Sequence, residues 1–254
     1  MRLSELSPST LFGSDETKPA VRMVFGISGQ GKTVFLRESL RKAARSPDFG
    51  PTHRFVVFDV KHDGYETLAP PVLTSERAIR NLKRDRLAVI HPDIDTARHE
   101  LDDIIAWLFD AAEVNDEFSA TLVIEESSTF IGSSVGSIPA SVKRLATQGR
   151  SLNLTMILVN QRALSNKWTD TQATSITMFR LARPDGRMLY DRWGVDAESM
   201  DARLKEKKFS FAHLDLETPD ELEYYSPIEI PKNPQPVVVK KKARGFTSLF
   251  RRPF

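Results

Sequence analysis

The chain has 254 residues, 40% of them hydrophobic and 28% charged, and its net charge of +2 is ordinary for a globular protein. It has no cysteine, which excludes disulfides, zinc–thiolate sites and thiol catalysis. No apolar run approaches the ~18–20 residues of a membrane span, and the N-terminus lacks a signal-peptide core, so we expect no transmembrane segment.

A phosphate-binding loop is the strongest motif near the N-terminus. After a polar lead-in of residues 1–20, the apolar run Val21–Phe25 predicts a buried strand. The next eight residues match the pattern G-x-x-x-x-G-K-[ST]: Gly26, Ile27, Ser28, Gly29, Gln30, Gly31, Lys32 and Thr33. Apolar residues at helical spacing follow, so strand, loop and helix come in the order that a nucleotide site requires.

Each residue type in this loop has a chemical reason. Glycines let the backbone curl so that successive N–H groups point at the phosphates. Lys32 would place a positive charge on the β- and γ-phosphates, and the Thr33 hydroxyl would ligate Mg²⁺. We therefore predict a site for a nucleotide with Mg²⁺.

Further strands and helices alternate along the chain. Continuous apolar runs at 54–60, 87–91, 121–124, 154–159 and 176–181 predict buried strands, and 96–113 predicts an amphipathic helix. The alternation predicts an α/β fold with a mostly parallel sheet flanked by helices. Residues 209–214 and 223–230 predict a C-terminal β-hairpin at the sheet edge, with Thr218–Asp220 as its turn.

Two acidic residues follow the strand at 121–124. Glu125 is placed where the metal-linked carboxylate of a P-loop enzyme belongs, and Glu126 where the water-activating base belongs. The alternative interpretation is a pair of solvated glutamates beyond a strand. A short buried run that ends in paired acids favours catalysis.

The strand at 154–159 ends in amides, and Gln161 would sense the γ-phosphate if this strand lies beside Val21–Phe25. A glutamine that caps the next turn is the structural alternative. Arg150, ahead of the strand, is the candidate arginine finger for a neighbouring subunit, with Arg144 and Arg162 as competitors. A surface arginine without such a role remains open.

Together the P-loop, the paired glutamates and the stretch Gln148-Gly149-Arg150-Ser151 … Asn160-Gln161-Arg162 resemble the FtsK–HerA superfamily of DNA-pumping ATPases. Within it, the small size resembles genome-packaging ATPases of tailless, internal-membrane viruses. Asp59-Val60-Lys61 also resembles the family's Asp-x-Lys-Gly stretch, with His62 in place of glycine. Glu125 stands where the family usually has aspartate, and its extra methylene changes the reach to a metal.

The resemblance covers roughly residues 20–230 and implies a RecA/ASCE-like P-loop domain over 21–230. It implies Mg²⁺-dependent ATP hydrolysis, a hexameric ring and translocation of double-stranded DNA into a capsid, in the host cytoplasm or at the packaging vertex of the virion. A cellular HerA-type helicase-translocase is one alternative, and a Zot-like phage-assembly NTPase that acts on protein is another. A nucleotide switch without a motor cycle leaves Glu126 and Gln161 without a role.

The C-terminal tail, 231–254, has seven basic residues and no acidic one, which leaves −5 on the first 230 residues. Such a tail attracts phosphates, and Phe246, Leu249 and Phe250 have the spacing of a short amphipathic helix. A capsid vertex protein, a viral membrane or DNA are its candidate partners, and a solubilising tail is the alternative. The loop 127–139, with Phe130 and Ile131, is a candidate DNA-contacting segment; a passive loop is the alternative.

Overall fold

A computed structural model describes residues 6–12, 21–62, 64–132, 135–162, 167–217, 222–230, 232 and 237. Eight strands form one sheet: β1 (Val21–Phe25), β2 (Arg54–Asp59), β3 (Leu87–Ile90), β4 (Ala120–Glu125), β5 (Leu154–Asn160), β6 (Ala173–Phe179), β7 (Phe211–Asp215) and β8 (Leu222–Tyr225). The helices are α1 (Pro8–Phe12), α2 (Lys32–Ala43), α3 (Ser75–Leu82), α4 (Ala97–Val114), α5 (Ala140–Gln148), α6 (Lys167–Gln172), α7 (Arg183–Arg192) and α8 (Ala197–Glu206).

The sheet has the order β3-β2-β4-β5-β1-β6-β7-β8. Strands β1 to β6 run parallel to one another. Strand β7 pairs antiparallel with both β6 and β8. The predicted fold class and the C-terminal hairpin are thus confirmed. Strand β5 lies between β1 and β4. The segments that follow these three parallel strands therefore lie together at the carboxyl ends of the strands.

Both faces of the sheet are covered, which explains why its strands have continuous apolar runs. One face packs against α3, α4, α5, α7 and α8, and the other against α1 and α2. Successive strand residues alternate between the two sides: Phe58 and Ile124 lie in the first core, Val57 and Val123 in the second. The predicted strands and the helix at 96–113 match β1 to β7 and α4 to within a few residues.

The lead-in contributes to the core through α1. Leu11 and Phe12 are buried, and the Phe12 ring meets the Phe55 ring edge-on at 5.9 Å. The Phe12 carbonyl also accepts a hydrogen bond of 2.7 Å from the Thr121 hydroxyl. This short helix therefore packs on the same face of the sheet as α2.

The loop after β4 contains two large apolar side chains, Phe130 and Ile131. The local sequence pattern gave Phe130 and Ile131 no partner, but both are buried in the core, and the Phe130 ring packs against the Phe58 ring at 5.6 Å. The partners of these two side chains therefore come from the core and not from residues nearby in the sequence. Residues 133 and 134 of this loop lie outside the described residues.

The second hairpin strand is shorter than predicted. β8 ends at Tyr225, before Pro227, which has no backbone N–H to donate to a neighbouring strand. The predicted turn at Thr218–Asp220 and nearly all of the tail, including Phe246, Leu249 and Phe250, lie outside the described residues. Within the described ranges, no helix is both long enough and apolar enough to cross a membrane.

Candidate active site

The loop from Gly26 to Thr33 joins the carboxyl end of β1 to the first turn of α2. Its start is held between neighbouring strands: the Gly26 N–H donates to the Asn160 carbonyl at 3.2 Å, and the Ile27 N–H to the Arg180 carbonyl at 3.0 Å. A side chain at Gly26 would place its Cβ 2.5 Å from the Phe179 Cβ. Gly31 has φ of 93°, a conformation that L side chains rarely adopt.

Lys32 is buried and folds back over this loop. Its ammonium donates to the carbonyl oxygens of Gly26 and, at 3.2 Å, of Ile27. Burial lowers the pKa of Lys32, and the nearby carboxylate of Glu125 acts in the opposite direction. The ammonium is thus already positioned above the loop interior where phosphate oxygens would lie.

Glu125 is 5% exposed at the end of β4, and it accepts a hydrogen bond from the hydroxyl of fully buried Tyr65. Burial raises the pKa of Glu125 to about 7; the Tyr65 hydrogen bond opposes that rise, and Asp59 adds to it. The register pairs Asp59 of β2 directly with Glu125 of β4. Two buried carboxylates therefore lie side by side at the sheet edge.

Glu126 follows in a left-handed backbone conformation, with φ of 49° and ψ of 50°. Its carboxylate forms an ion pair with Lys61 and accepts a 3.2 Å hydrogen bond from the Ser128 hydroxyl. The sharp turn of the backbone separates the directions of the two glutamates, so Glu125 is buried while Glu126 stays half-buried. This separation agrees with two different roles for the paired acids.

Strand β5 lies next to β1, as the prediction for Gln161 required. Asn160 ends the strand, and its side-chain oxygen accepts hydrogen bonds from the Ser127 hydroxyl (3.0 Å) and the Ser128 N–H (2.9 Å). These bonds tie the end of β5 to the turn that carries Glu126. Gln161, the next residue, is half-buried.

A cavity of about 290 Å³ brings the predicted residues together. Its walls include the P-loop with Lys32 and Thr33, the carboxylates of Asp59 and Glu125, and the side chain of Gln161. Lys61 also lines the cavity, and Glu126 reaches it through the ion pair with Lys61. The cavity therefore combines the cations of Lys32 and Lys61 and the backbone of the P-loop with two buried carboxylates.

The oxygen groups of this cavity fit a magnesium ion. The Thr33 hydroxyl and the two carboxylates are the hard oxygen ligands that Mg²⁺ prefers. Among the described residues, no cluster of three His, Cys, Asp or Glu side chains forms a metal cage. Mg²⁺ commonly binds through one or two protein oxygens together with substrate phosphates, so this donor set suits a metal that arrives with a nucleotide.

The comparisons agree with this architecture. No protein-family model matches the sequence, and no curated protein matches it significantly. Among solved structures, the genome-packaging NTPase B204 of Sulfolobus turreted icosahedral virus 2, in complex with ATP-γ-S, superposes with a TM-score of 0.65 at 13% identity, over 83% of this chain and 98% of that one. This chain has the fold of a P-loop ATPase.

Other P-loop ATPase structures are similar as well. B204 from Sulfolobus turreted icosahedral virus matches with a TM-score of 0.58 and 12% identity, over 84% of this chain and all of that one. The cytoplasmic domain of the type VII secretion ATPase EccC from Thermomonospora curvata matches with 0.54 and 14%, over 96% of this chain and 32% of that one.

The three arginines fall at two ends of this P-loop ATPase fold. Arg162 is exposed beside Gln161, at the edge that carries the P-loop. Arg150 and Arg144 precede β5, so the seven residues of that strand, roughly 20 Å of chain, separate them from the P-loop. Arg150 is 49% exposed and pairs with Glu217 at 3.5 Å, whereas Arg144 pairs with Glu113 and stacks over Phe109. Arg150 and Arg144 are therefore too far from the nucleotide cavity of their own chain to contact it.

Sequence reasoning missed several residues of the site. Asp59 had a signal, because it ends a buried strand just as Glu125 does. Tyr65 had none, since its contact with Glu125 joins residues 60 positions apart. His62 has φ of 56°, and its ring stacks on the His91 ring at 4.7 Å between centroids. The backbone there has the left-handed conformation that favours glycine.

Proposed function

We propose that this chain is a Mg²⁺-dependent ATPase that translocates double-stranded DNA and packages a viral genome into a preformed capsid. The observation that carries the proposal is the single cavity that joins the P-loop, two buried carboxylates and Gln161. The similarity to B204, described as a genome-packaging NTPase, over 98% of that chain supports the choice of packaging.

Each cavity residue has a part in the proposed chemistry. The P-loop amides and Lys32 bind the β- and γ-phosphates, and Lys32 exchanges its carbonyl partners for phosphate oxygens. Thr33 and Glu125, with Asp59 beside it, would hold Mg²⁺, which supplies charge neutralisation on the phosphates. Because the metal favours the ionised carboxylate, its arrival would offset the raised pKa of Glu125.

Glu126 is the proposed base for the attacking water, and Gln161 the sensor of the γ-phosphate. In the structure Lys61 holds the Glu126 carboxylate, so a nucleotide that attracts Lys61 would release it toward the water. Arg150 would act on the nucleotide of a neighbouring subunit, which agrees with its exposed position far from its own P-loop. A homo-oligomeric ring is therefore part of the proposal.

The chemistry is tested by steady-state ATP hydrolysis and by nucleotide binding in the same preparations. Glu126→Gln should lower kcat by roughly 10²–10⁴-fold, since a general base contributes about that much, with ATP affinity retained. Lys32→Ala should lose ATP binding itself. Glu76→Gln, an exposed glutamate on α3, is the matched control and should behave as wild type.

Two results would contradict the assignment. A Glu126→Gln enzyme with wild-type kcat would remove Glu126 from the reaction. Equal hydrolysis with and without Mg²⁺, in the presence of a chelator, would remove the metal from it.

A further inference from the structure

An apolar cavity of about 120 Å³ lies beside the phosphate cavity. The two cavities share Gly31, Val34 and Phe209 as walls, so they adjoin each other beside Gly31 of the P-loop. The remaining walls come from Phe35 of α2, from the sheet and from the segment after β8, which contributes Ile228 and Ile230. The part of the chain that the structure describes gives this cavity no charged or hydrogen-bonding side chain.

Phe209 is the strained residue of this region. Its φ of 69° is in the left-handed region, where a bulky side chain is rare and the backbone is strained. The residue is 39% exposed, and the Cδ1 atom of its ring would lie 3.3 Å from a Cβ added to Gly31. Lys208 Nζ lies over the ring, 4.7 Å from its centroid, and Phe209 is also a wall of both cavities.

We propose that the apolar cavity binds the nucleobase of the nucleotide, with Phe209 as the wall against which the base packs. The inference rests on the proposed function, because it places the base of the nucleotide whose phosphates occupy the P-loop. A ligand with its phosphates in the larger cavity passes Gly31 and Val34 to enter the smaller one. The volume equals about four water molecules, room for a flat ring system.

The strained backbone of Phe209 determines where its ring lies. A relaxed backbone at this position would direct the side chain elsewhere, whereas the left-handed conformation keeps the ring against Gly31. The exposed fraction of the ring is the surface that a base would cover. Binding of the base thereby removes apolar surface of Phe209 and of Ile228 from water.

The wall composition also sets the selectivity. Side chains that discriminate strongly between bases do so through hydrogen bonds, and the described walls offer none. Packing alone discriminates weakly, because every base presents an apolar face. ATP and GTP should therefore bind with affinities within about tenfold of each other.

The test compares ATP with tripolyphosphate, which has the phosphates but no base, by calorimetric titration with Mg²⁺. Phe209→Gly removes the ring, and relief of the positive φ offsets part of the packing that is lost, so the variant should still fold. We expect its dissociation constant for ATP to rise roughly tenfold to hundredfold and that for tripolyphosphate to stay unchanged. Ile94→Ala, an exposed aliphatic residue outside both cavities, is the control.

Three outcomes would overturn the base site: unchanged ATP affinity in Phe209→Gly, an equal loss for ATP and tripolyphosphate, or a preference of more than hundredfold between ATP and GTP in wild type. The second would mean that Phe209 supports the P-loop rather than the base. If wild type binds neither ATP nor tripolyphosphate, the proposed function fails and the base site fails with it. In the three outcomes above, wild type still binds these ligands, so the proposed function stands and only the base site fails.

Discussion

His53, just before β2, is a buried histidine, and its hydrogen bonds fit one tautomer of its neutral form. The Thr121 hydroxyl donates to the Phe12 carbonyl, so it accepts from His53 Nε2–H at 3.1 Å, and Nδ1 accepts from the Ser119 hydroxyl at 2.8 Å. Burial lowers the pKa of His53 to about 3. His213 on β7 is similar, and burial lowers its pKa to about 4.

These two histidines predict a loss of stability in mild acid. Below pH 6.5 the unfolded chain takes up protons on both residues and the folded chain does not, so the free energy of unfolding falls as the pH drops toward 4. His53→Gln keeps one donor and one acceptor but cannot titrate. We expect the wild type to lose about 1 kcal/mol more than the variant between pH 7.5 and 5.5, measured by urea unfolding.

The comparison with the variant isolates His53 from Glu125. Because burial raises the pKa of Glu125 to about 7, its contribution runs the other way and is lost as the pH rises from 4.5 to 7. Glu125 is present in both proteins and cancels in the difference. Equal pH dependence of the two proteins would contradict the neutral assignment of His53.

At the scale of the elements, the short helix α1 buries two large side chains, Leu11 and Phe12, against the sheet. Phe12 is fully buried against Phe55, and its carbonyl is bonded to Thr121. Phe12→Ala should lower the free energy of unfolding by about 3–5 kcal/mol in urea titrations, because it leaves a cavity between α1 and the sheet. Leu73→Ala, at a residue 60% exposed, should change it by less than about 0.5 kcal/mol. A small effect of Phe12→Ala would mean that α1 detaches readily from the sheet.

The strands were predictable because each is a continuous apolar run between two covered faces. The P-loop and the paired glutamates were predictable because their chemistry is local in sequence. Tyr65 and Phe209 were not, since each enters the site through the packing of distant segments. The partners of Phe130 and Ile131 were not predictable for the same reason: local spacing did not show that these side chains pack in the core.

At the scale of the whole molecule, the proposed motor needs more than one subunit. The P-loop edge of the sheet carries the nucleotide cavity, while Arg150 is exposed near the opposite edge. In a ring, such an arrangement lets the arginine of one subunit reach the nucleotide of the next. The basic tail, with seven of the chain's cations, gives the otherwise acidic chain a segment attracted to phosphates.

The measurement that tests the central claim is ATP-driven translocation along long double-stranded DNA. Displacement of a third strand from a triplex reports the translocation, and ATP turnover is recorded in parallel. We predict that DNA stimulates turnover, that displacement requires ATP, that both weaken as salt rises, and that Lys32→Ala and Glu126→Gln abolish both while Glu76→Gln does not. ATP turnover that is indifferent to DNA, without displacement of the third strand, would contradict the account.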